Sequence, residues 1–221
     1  MRHVASFRHF LSTGRLGPIS VDLNLRQVAD LLGTPQDWIL NYDSPFYWIY
    51  SELDSGCPKL EICFSPDAPH PIFWFQIEDA DDVRDTFHLF GQSLAMTADG
   101  LSGASTPADY LRSGAFDVGK TTIYLDECFV LAIVTDRLVA FFCSRDDGEE
   151  DMSDDQKRAI FDGFGKGLNF TASDRLYRVD SIYSYHEGGT ERERLLKRAT
   201  CSIPQYLGMM ADPPEIAAAD D

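Results

Sequence analysis

The chain has 221 residues, 44% of them hydrophobic, with 36 acidic side chains against 19 basic ones and a formal net charge of −17. That length and apolar content suit one folded domain or two small ones and exclude a wholly disordered chain, and the absence of a strong clustered basic stripe argues against direct nucleic-acid binding. No apolar run approaches membrane-spanning length, and the opening MRHVASFRHFLSTG lacks the apolar centre of a signal peptide, so the expectation is a soluble, unexported, cytoplasmic protein with no membrane partner.

From the N-terminus, Val4, Phe7, Phe10 and Leu11 recur at helical spacing ahead of Gly14, which predicts a short amphipathic helix over residues 4–11. The clearest pattern runs from Leu16 to Glu78. Asn24 can accept from the free amides of a first turn, and Leu25, Val28, Leu31 and Leu32 then share one helical face. Gly33 supplies a left-handed stop and Pro35 forbids continuation. After this helix, residues 38–42, 46–53, 60–64 and 72–77 are aromatic and β-branched, separated by Asp-Ser-Pro, Asp-Ser-Gly and Ser-Pro-Asp-Ala-Pro turns, which predicts an antiparallel meander.

Within that stretch, Gly17-Pro18-Ile19, Val28, Leu31-Leu32-Gly33-Thr34-Pro35, Trp48-Ile49-Tyr50, Leu60-Glu61 and Phe64 follow a G-x-I, V-x-x-L-L-G-x-P, W-x-Y, L-E-x-x-F pattern. The pattern resembles that of small uncharacterised bacterial proteins found in toxin-immunity neighbourhoods. The helix-then-meander order is also similar to that of small outer-membrane assembly lipoproteins. The resemblance covers about the first third of the chain and carries over no catalytic residue. What it implies is an immunity or inhibitor protein with a cognate toxin as partner.

Farther on, Val83, Phe87, Phe90 and Leu94 recur at helical spacing behind an acidic first turn, which predicts a helix over residues 81–94, with a loop at 95–105. Thr106 and Pro107 read as the N-cap and first residue of a short helix over residues 108–113, stopped by Gly114. Residues 123–134 and 138–143 flank Thr135-Asp136-Arg137 as a hairpin. This repeats the order of a short helix followed by strands about 80 residues on. The expected fold class is therefore α+β, short helices on antiparallel β-meanders, with two tandem units over residues 1–95 and 96–210 as one arrangement and an acidic tail at 211–221. In the second part, Ser153 and Gln156 form a capping box for a helix to Phe164, Gly163, Gly165 and Gly167 break regularity, residues 175–185 make a strand, Thr190 caps a helix over 191–200, and the chain beyond Pro204 reads as a tail.

Candidate chemistry is sparse. Residues 114–121, GAFDVGKT, match G-x-x-x-x-G-K-[ST], but a phosphate-binding loop needs a strand before it and a helix after it, and here the order is inverted. The expectation is a plain helix-to-strand turn with Lys120 exposed. Cys57, Cys63 and His70 match no zinc spacing, His3, His9, His88 and His186 are scattered, and neither metal nor cofactor is expected. The five cysteines, with Cys128, Cys143 and Cys201 completing them, are an odd number without C-x-x-C spacing, which predicts reduced, partly buried thiols.

The charge is patchy. Residues 78–85, 146–155 and 211–221 hold all but two of the net negative charges. Solvated loops are one reading; a surface for a basic protein is the other. Of the aromatic series in the meander, about half should be core, and Trp74, alternating with Phe73 and Phe75, should face away from both. The functional expectation is a non-enzymatic acidic protein that binds a basic partner. Its contact residues would be Glu78, Asp79, Asp81, Asp82 and Asp85 in one patch, Asp146, Asp147, Glu149, Glu150 and Asp151 in another, and Trp74. The alternatives are a nucleotide-binding protein or enzyme using residues 114–121, and a structural or oligomerising module.

Overall fold

The computed structural model describes residues 2–40, 45–51, 57–84, 87–126, 128–144, 154–186 and 199–210. These residues form an α+β fold of twelve strands and six helices. In the first part are β1 (His3–Ser6), α1 (Phe7–Thr13), α2 (Leu25–Leu32), β2 (Asp37–Ile39), β3 (Phe46–Tyr50), β4 (Lys59–Phe64) and β5 (Ile72–Glu78). A 3-10 turn, Ala80–Asp82, leads into β6 (Phe87–Phe90) and β7 (Leu94–Thr97). Then come α3 (Pro107–Arg112), β8 (Thr122–Leu125), β9 (Leu131–Val134), β10 (Leu138–Ser144), α4 (Asp154–Lys166), α5 (Thr171–Asp174), β11 (Tyr177–Tyr185), β12 (Ala199–Ser202) and α6 (Ile203–Met209). No helix among the described residues is long and apolar enough to cross a membrane.

Nine strands form one sheet in the order β12-β8-β9-β10-β11-β5-β4-β3-β2, every pair antiparallel, while β1, β7 and β6 form a smaller one. Two four-stranded meanders, β2–β5 behind α2 and β8–β11 behind α3, meet at their last strands, β5 against β11. Residue 95, the expected boundary, lies in β7, and the large sheet takes strands from both sides of it.

Strand alternation gives this sheet two faces. The inner face supplies Ile62, Phe75, Ile77, Ile133, Phe142 and Ile182 to a core shared with the helices and the small sheet. Phe10 of α1 stacks on Phe75 at 5.6 Å, and Tyr110 of α3 meets Phe142 edge-on at 5.1 Å. The outer face carries a second apolar cluster, Tyr124, Ala132, Val134, Val139 and Tyr185, with Trp74, Phe141 and Tyr183 packed against it.

Local chemistry explains most termini. Asn24 and Gln27 make a reciprocal capping box for α2, Thr106 and Asp109 make another for α3, and Ser202 and Gln205 a third for α6. Gly14 takes the left-handed conformation that ends α1. The stretch after α3 turns into β8 with Lys120 exposed, so residues 114–121 form a helix-to-strand turn rather than a phosphate loop.

Several expectations are corrected. The helix over residues 4–11 begins only at Phe7. Ahead of it, His3–Ser6 pairs in parallel with β7, and Val4 is 61% exposed instead of inward. Ser6 makes the switch, accepting from the His9 amide at 3.0 Å while donating to Asp99. The helix expected over residues 81–94 is the 3-10 turn followed by the β6–β7 hairpin, and the loop at 95–105 begins inside β7. Here Gly91, at φ 64°, turns the chain, and a long-range partner strand outweighs the helical spacing.

Residues 123–134 are two strands, β8 and β9. The Asp126 carboxylate makes the turn between them by accepting from the amides of Cys128 at 2.9 Å and Val130 at 2.8 Å. Helix α4 runs through Gly163 and Gly165 to Lys166 and stops at Gly167, φ 67°. Ala199 and Thr200 belong to β12, not to a helix; the rest of that expected helix, and Ser153 and Thr190, lie outside the described residues. The tail expected after Pro204 is α6, with Tyr206 and Met209 buried, because a proline in the first helical turn gives up no intrahelical bond.

Candidate functional site

The outer sheet face, where β3, β4, β5 and β11 run side by side, gathers the polar and aromatic side chains that the core does not use. Register places Tyr47, Cys63, Trp74 and Tyr185 in one row and Glu61, Gln76 and Tyr183 in the next, with Lys59 opposite Glu78 beyond. Same-face diagonal neighbours lie about 7–8 Å apart at Cα, within reach of long side chains. Trp74 contacts Tyr47 at 5.5 Å and Tyr183 at 5.3 Å between ring centroids, and Tyr183 contacts Phe141 at 5.7 Å. This aromatic ladder crosses β3, β5, β11 and β10, and all four side chains are half-buried.

The ladder roofs Cys63. Tyr47 and Trp74 flank that cysteine in register and meet above it, leaving it fully buried. Burial pushes its thiol up to about 12, so it is a packed group and not a nucleophile. Cys201 is buried and also pushed up to about 12, Cys57 and Cys143 are half-buried, Cys128 is exposed, and none of the five is in a disulfide.

Beside the ladder sits a carboxylate pair. Glu61 and Glu78 are diagonal neighbours within hydrogen-bonding contact, a bond that forms with the protonated Glu78 carboxyl as donor. That bond, and then burial, push the Glu78 carboxyl up to about 7. Gln76 donates through Nε2 to Glu61 at 2.7 Å, and Lys59 is paired with Asp79 at 2.6 Å. Burial, followed by the charges of Glu78 and Glu61, raises the Tyr183 phenol above its ordinary value. Among the described residues no three His, Cys, Asp or Glu side chains gather as metal ligands.

Of the residues expected at a partner surface, Trp74 and Glu78 fall on this face. Asp79 stands at its rim in a left-handed conformation, at φ 53°. Asp81 and Asp82 follow in the 3-10 turn, which packs against β11. Asp85, Asp146, Asp147, Glu149, Glu150 and Asp151 lie outside the described residues. Phe73 does not face the core: a register shift sets Cys63 opposite Trp74 and Phe64 opposite Ile72, so Phe73 is the extra residue of a bulge and stands 55% exposed. Glu61, Gln76 and Tyr183 escaped the sequence reading. Their outward parity on β4, β5 and β11 is visible there, but which strands lie adjacent is not.

A separate concavity of about 370 Å³ between α3 and α5 is lined by Thr106, Asp109, Arg112, Asp174 and Arg175. Its two carboxylates and two guanidiniums balance, and Asp174 is committed to the Ala108 amide and the Tyr206 hydroxyl. No family model, curated protein or solved structure matches this chain.

Proposed function

We propose that the protein is a non-enzymatic binding protein whose outer sheet face docks a basic protein, in the manner of an immunity or inhibitor protein and its toxin. The observation that carries this reading is the half-buried ladder of Tyr47, Trp74, Tyr183 and Phe141 lying against Glu61, Glu78 and Asp79. Aromatic side chains of this kind supply binding energy by desolvation, and a carboxylate rim selects and steers a cationic partner. The acidic stretch with Asp146, Asp147, Glu149, Glu150 and Asp151 adds long-range attraction, screened over about 8 Å at physiological salt. No nucleotide and no metal is needed.

The test compares tagged wild type with a Trp74→Ala, Tyr183→Ala double variant, each confirmed folded, in pull-downs from source cells. The expected result is one basic protein, near stoichiometric with the wild type and lost from the variant. Equal capture by both, or capture of nothing, overturns the reading.

A second reading, a self-associating module, is favoured by β2, the terminal strand of the described sheet, where Trp38 and Ile39, with Leu40 beyond, are all exposed. A monomer mass by size-exclusion light scattering at high concentration rules it out.

A further inference from the structure

We propose that Glu61, Gln76 and Glu78 form a guanidinium-binding site that takes an arginine side chain of the protein partner; this rests on the reading above and names what the face recognises. The decisive observation is Gln76. Its residue is only 4% exposed and its Nε2 is spent on Glu61, yet its Oε1 is buried with no hydrogen-bond partner. A buried carbonyl without a donor is destabilising, and proteins rarely leave one unused. Gln76 sits in the same row as Glu61 and next to Glu78 along β5, so its amide and the two carboxyl groups share one patch of the outer face, with too few donors among them. Glu78 meets part of this shortage by keeping its proton toward neutral pH.

What the cluster lacks is a cation rich in N–H groups. Lys59, the cation opposite Glu78, is taken by Asp79. A guanidinium presents five N–H donors in a flat fork, enough to serve two carboxylates and the orphan carbonyl together, whereas an ammonium is a compact point with three. A divalent metal would want six or more oxygens, and no third acidic or imidazole ligand is gathered here among the described residues. Trp74 and Tyr183 offer aromatic faces beside the cluster for the guanidinium plane to stack on.

Seating the cation displaces the Glu78 proton to solvent, so uptake is linked to pH through Glu78, which holds that proton up to about 7. The other titratable groups that face the pair are Lys59 and Cys63 on β4, Asp79 after β5, Tyr47 on β3, and Tyr183 and Asp180 on β11. Among all of them Glu78 is the group whose proton the cation replaces. One proton released from a group near 7 makes the affinity at pH 6 about tenfold weaker than at pH 8.

The experiment titrates the full chain with N-acetylarginine methylamide and, separately, with N-acetyllysine methylamide, following the Trp74 indole N–H by NMR at pH 8 and pH 6. Expected are saturable shifts at millimolar arginine amide, at least fivefold weaker binding of the lysine amide, and about tenfold weakening at pH 6. The Glu61→Gln, Glu78→Gln double variant keeps side-chain size and should melt no lower than the wild type while losing both arginine binding and its pH dependence. No binding at pH 8, equal binding of the two amides, or unchanged binding in the double variant overturns the site. The partner pull-down separates the two ideas: a protein lost from the Trp74→Ala, Tyr183→Ala variant but retained by the Glu61→Gln, Glu78→Gln variant supports the docking face and sinks the guanidinium site.

Discussion

Trp74 and Tyr183 meet at 5.3 Å between ring centroids, with planes at 61°, across the seam where β5 of one meander pairs with β11 of the other. They occupy adjacent rows, Trp74 opposite Tyr185 and Tyr183 opposite Gln76. The same contact therefore fastens the two meanders on the outer face and forms the centre of the proposed docking surface. Stability and binding draw on one set of side chains here, and substitutions must be read for both.

Trp74→Ala removes both of its ring contacts and unroofs Cys63. For a half-buried indole the expected loss is about 2 kcal/mol of stability by urea denaturation, below the range for a fully buried Trp. Trp74→Phe should recover at least half. If Trp74→Ala unfolds at the wild-type midpoint, the ladder contributes nothing to the seam.

Glu78 gives a pH signature. Its carboxyl is raised from an ordinary 4.5 to about 7, so its contribution to folding is full below about pH 4.5 and is lost as pH rises to about 7. After discounting for the solvent that screens this half-exposed group, the swing is on the order of 1 kcal/mol. Glu78→Gln should track the wild type at pH 4, diverge between pH 5 and 7, and be the more stable by about that amount at pH 8. Parallel stability curves for the two proteins from pH 4 to 8 would exclude a raised Glu78 carboxyl.

How far the sequence foretold this depends on the range of the interaction. Caps were legible, because Asn24 and Gln27, or Thr106 and Asp109, lie three residues apart and answer each other locally. So was the outward parity of Trp74. The β6–β7 hairpin was not, because Val83, Phe87, Phe90 and Leu94 fit a helix until β1, some 90 residues earlier, claims β7 as its partner. The Glu61–Gln76–Glu78 cluster was hidden for the same reason: it exists only through the β4–β5 register, and its neighbour Tyr183 enters from a strand more than 100 residues away.

Among the described glycines, Gly103 is the one that backbone approaches most closely. Its amide donates to the Val83 carbonyl at 2.7 Å, and a Cβ placed on it would fall 1.8 Å from the Asp81 carbonyl oxygen. Backbone cannot yield as a side-chain tip can, so Gly103→Ala must push the 3-10 turn Ala80–Asp82 off β11. The expected cost is about 3 kcal/mol in a denaturant titration, and Gly100→Ala, at an open position but with φ +80°, should cost only about 1 kcal/mol. Equal effects of the two would show that conformation, not contact, governs both sites.

Asp174 ties three helices with one carboxylate. It ends α5, is 4% exposed, and its Oδ1 accepts from the Ala108 amide in the first turn of α3 at 3.0 Å and from the Tyr206 hydroxyl of α6 at 2.8 Å. Tyr206 is fully buried and packs edge-on against Phe164 and Phe170, so neither donor can turn to water if the acceptor is removed. Asp174→Ala strands two buried donors and should cost about 3 kcal/mol, whereas Tyr206→Phe deletes one donor, leaves the acceptor half used, and should cost about 1 kcal/mol. Because the hydroxyl has no purpose once the carboxylate is gone, the double variant should be no less stable than Asp174→Ala alone, a coupling of about 1 kcal/mol in the cycle. Strictly additive losses by urea denaturation would mean that the two side chains act independently and that α6 is held by its apolar face alone.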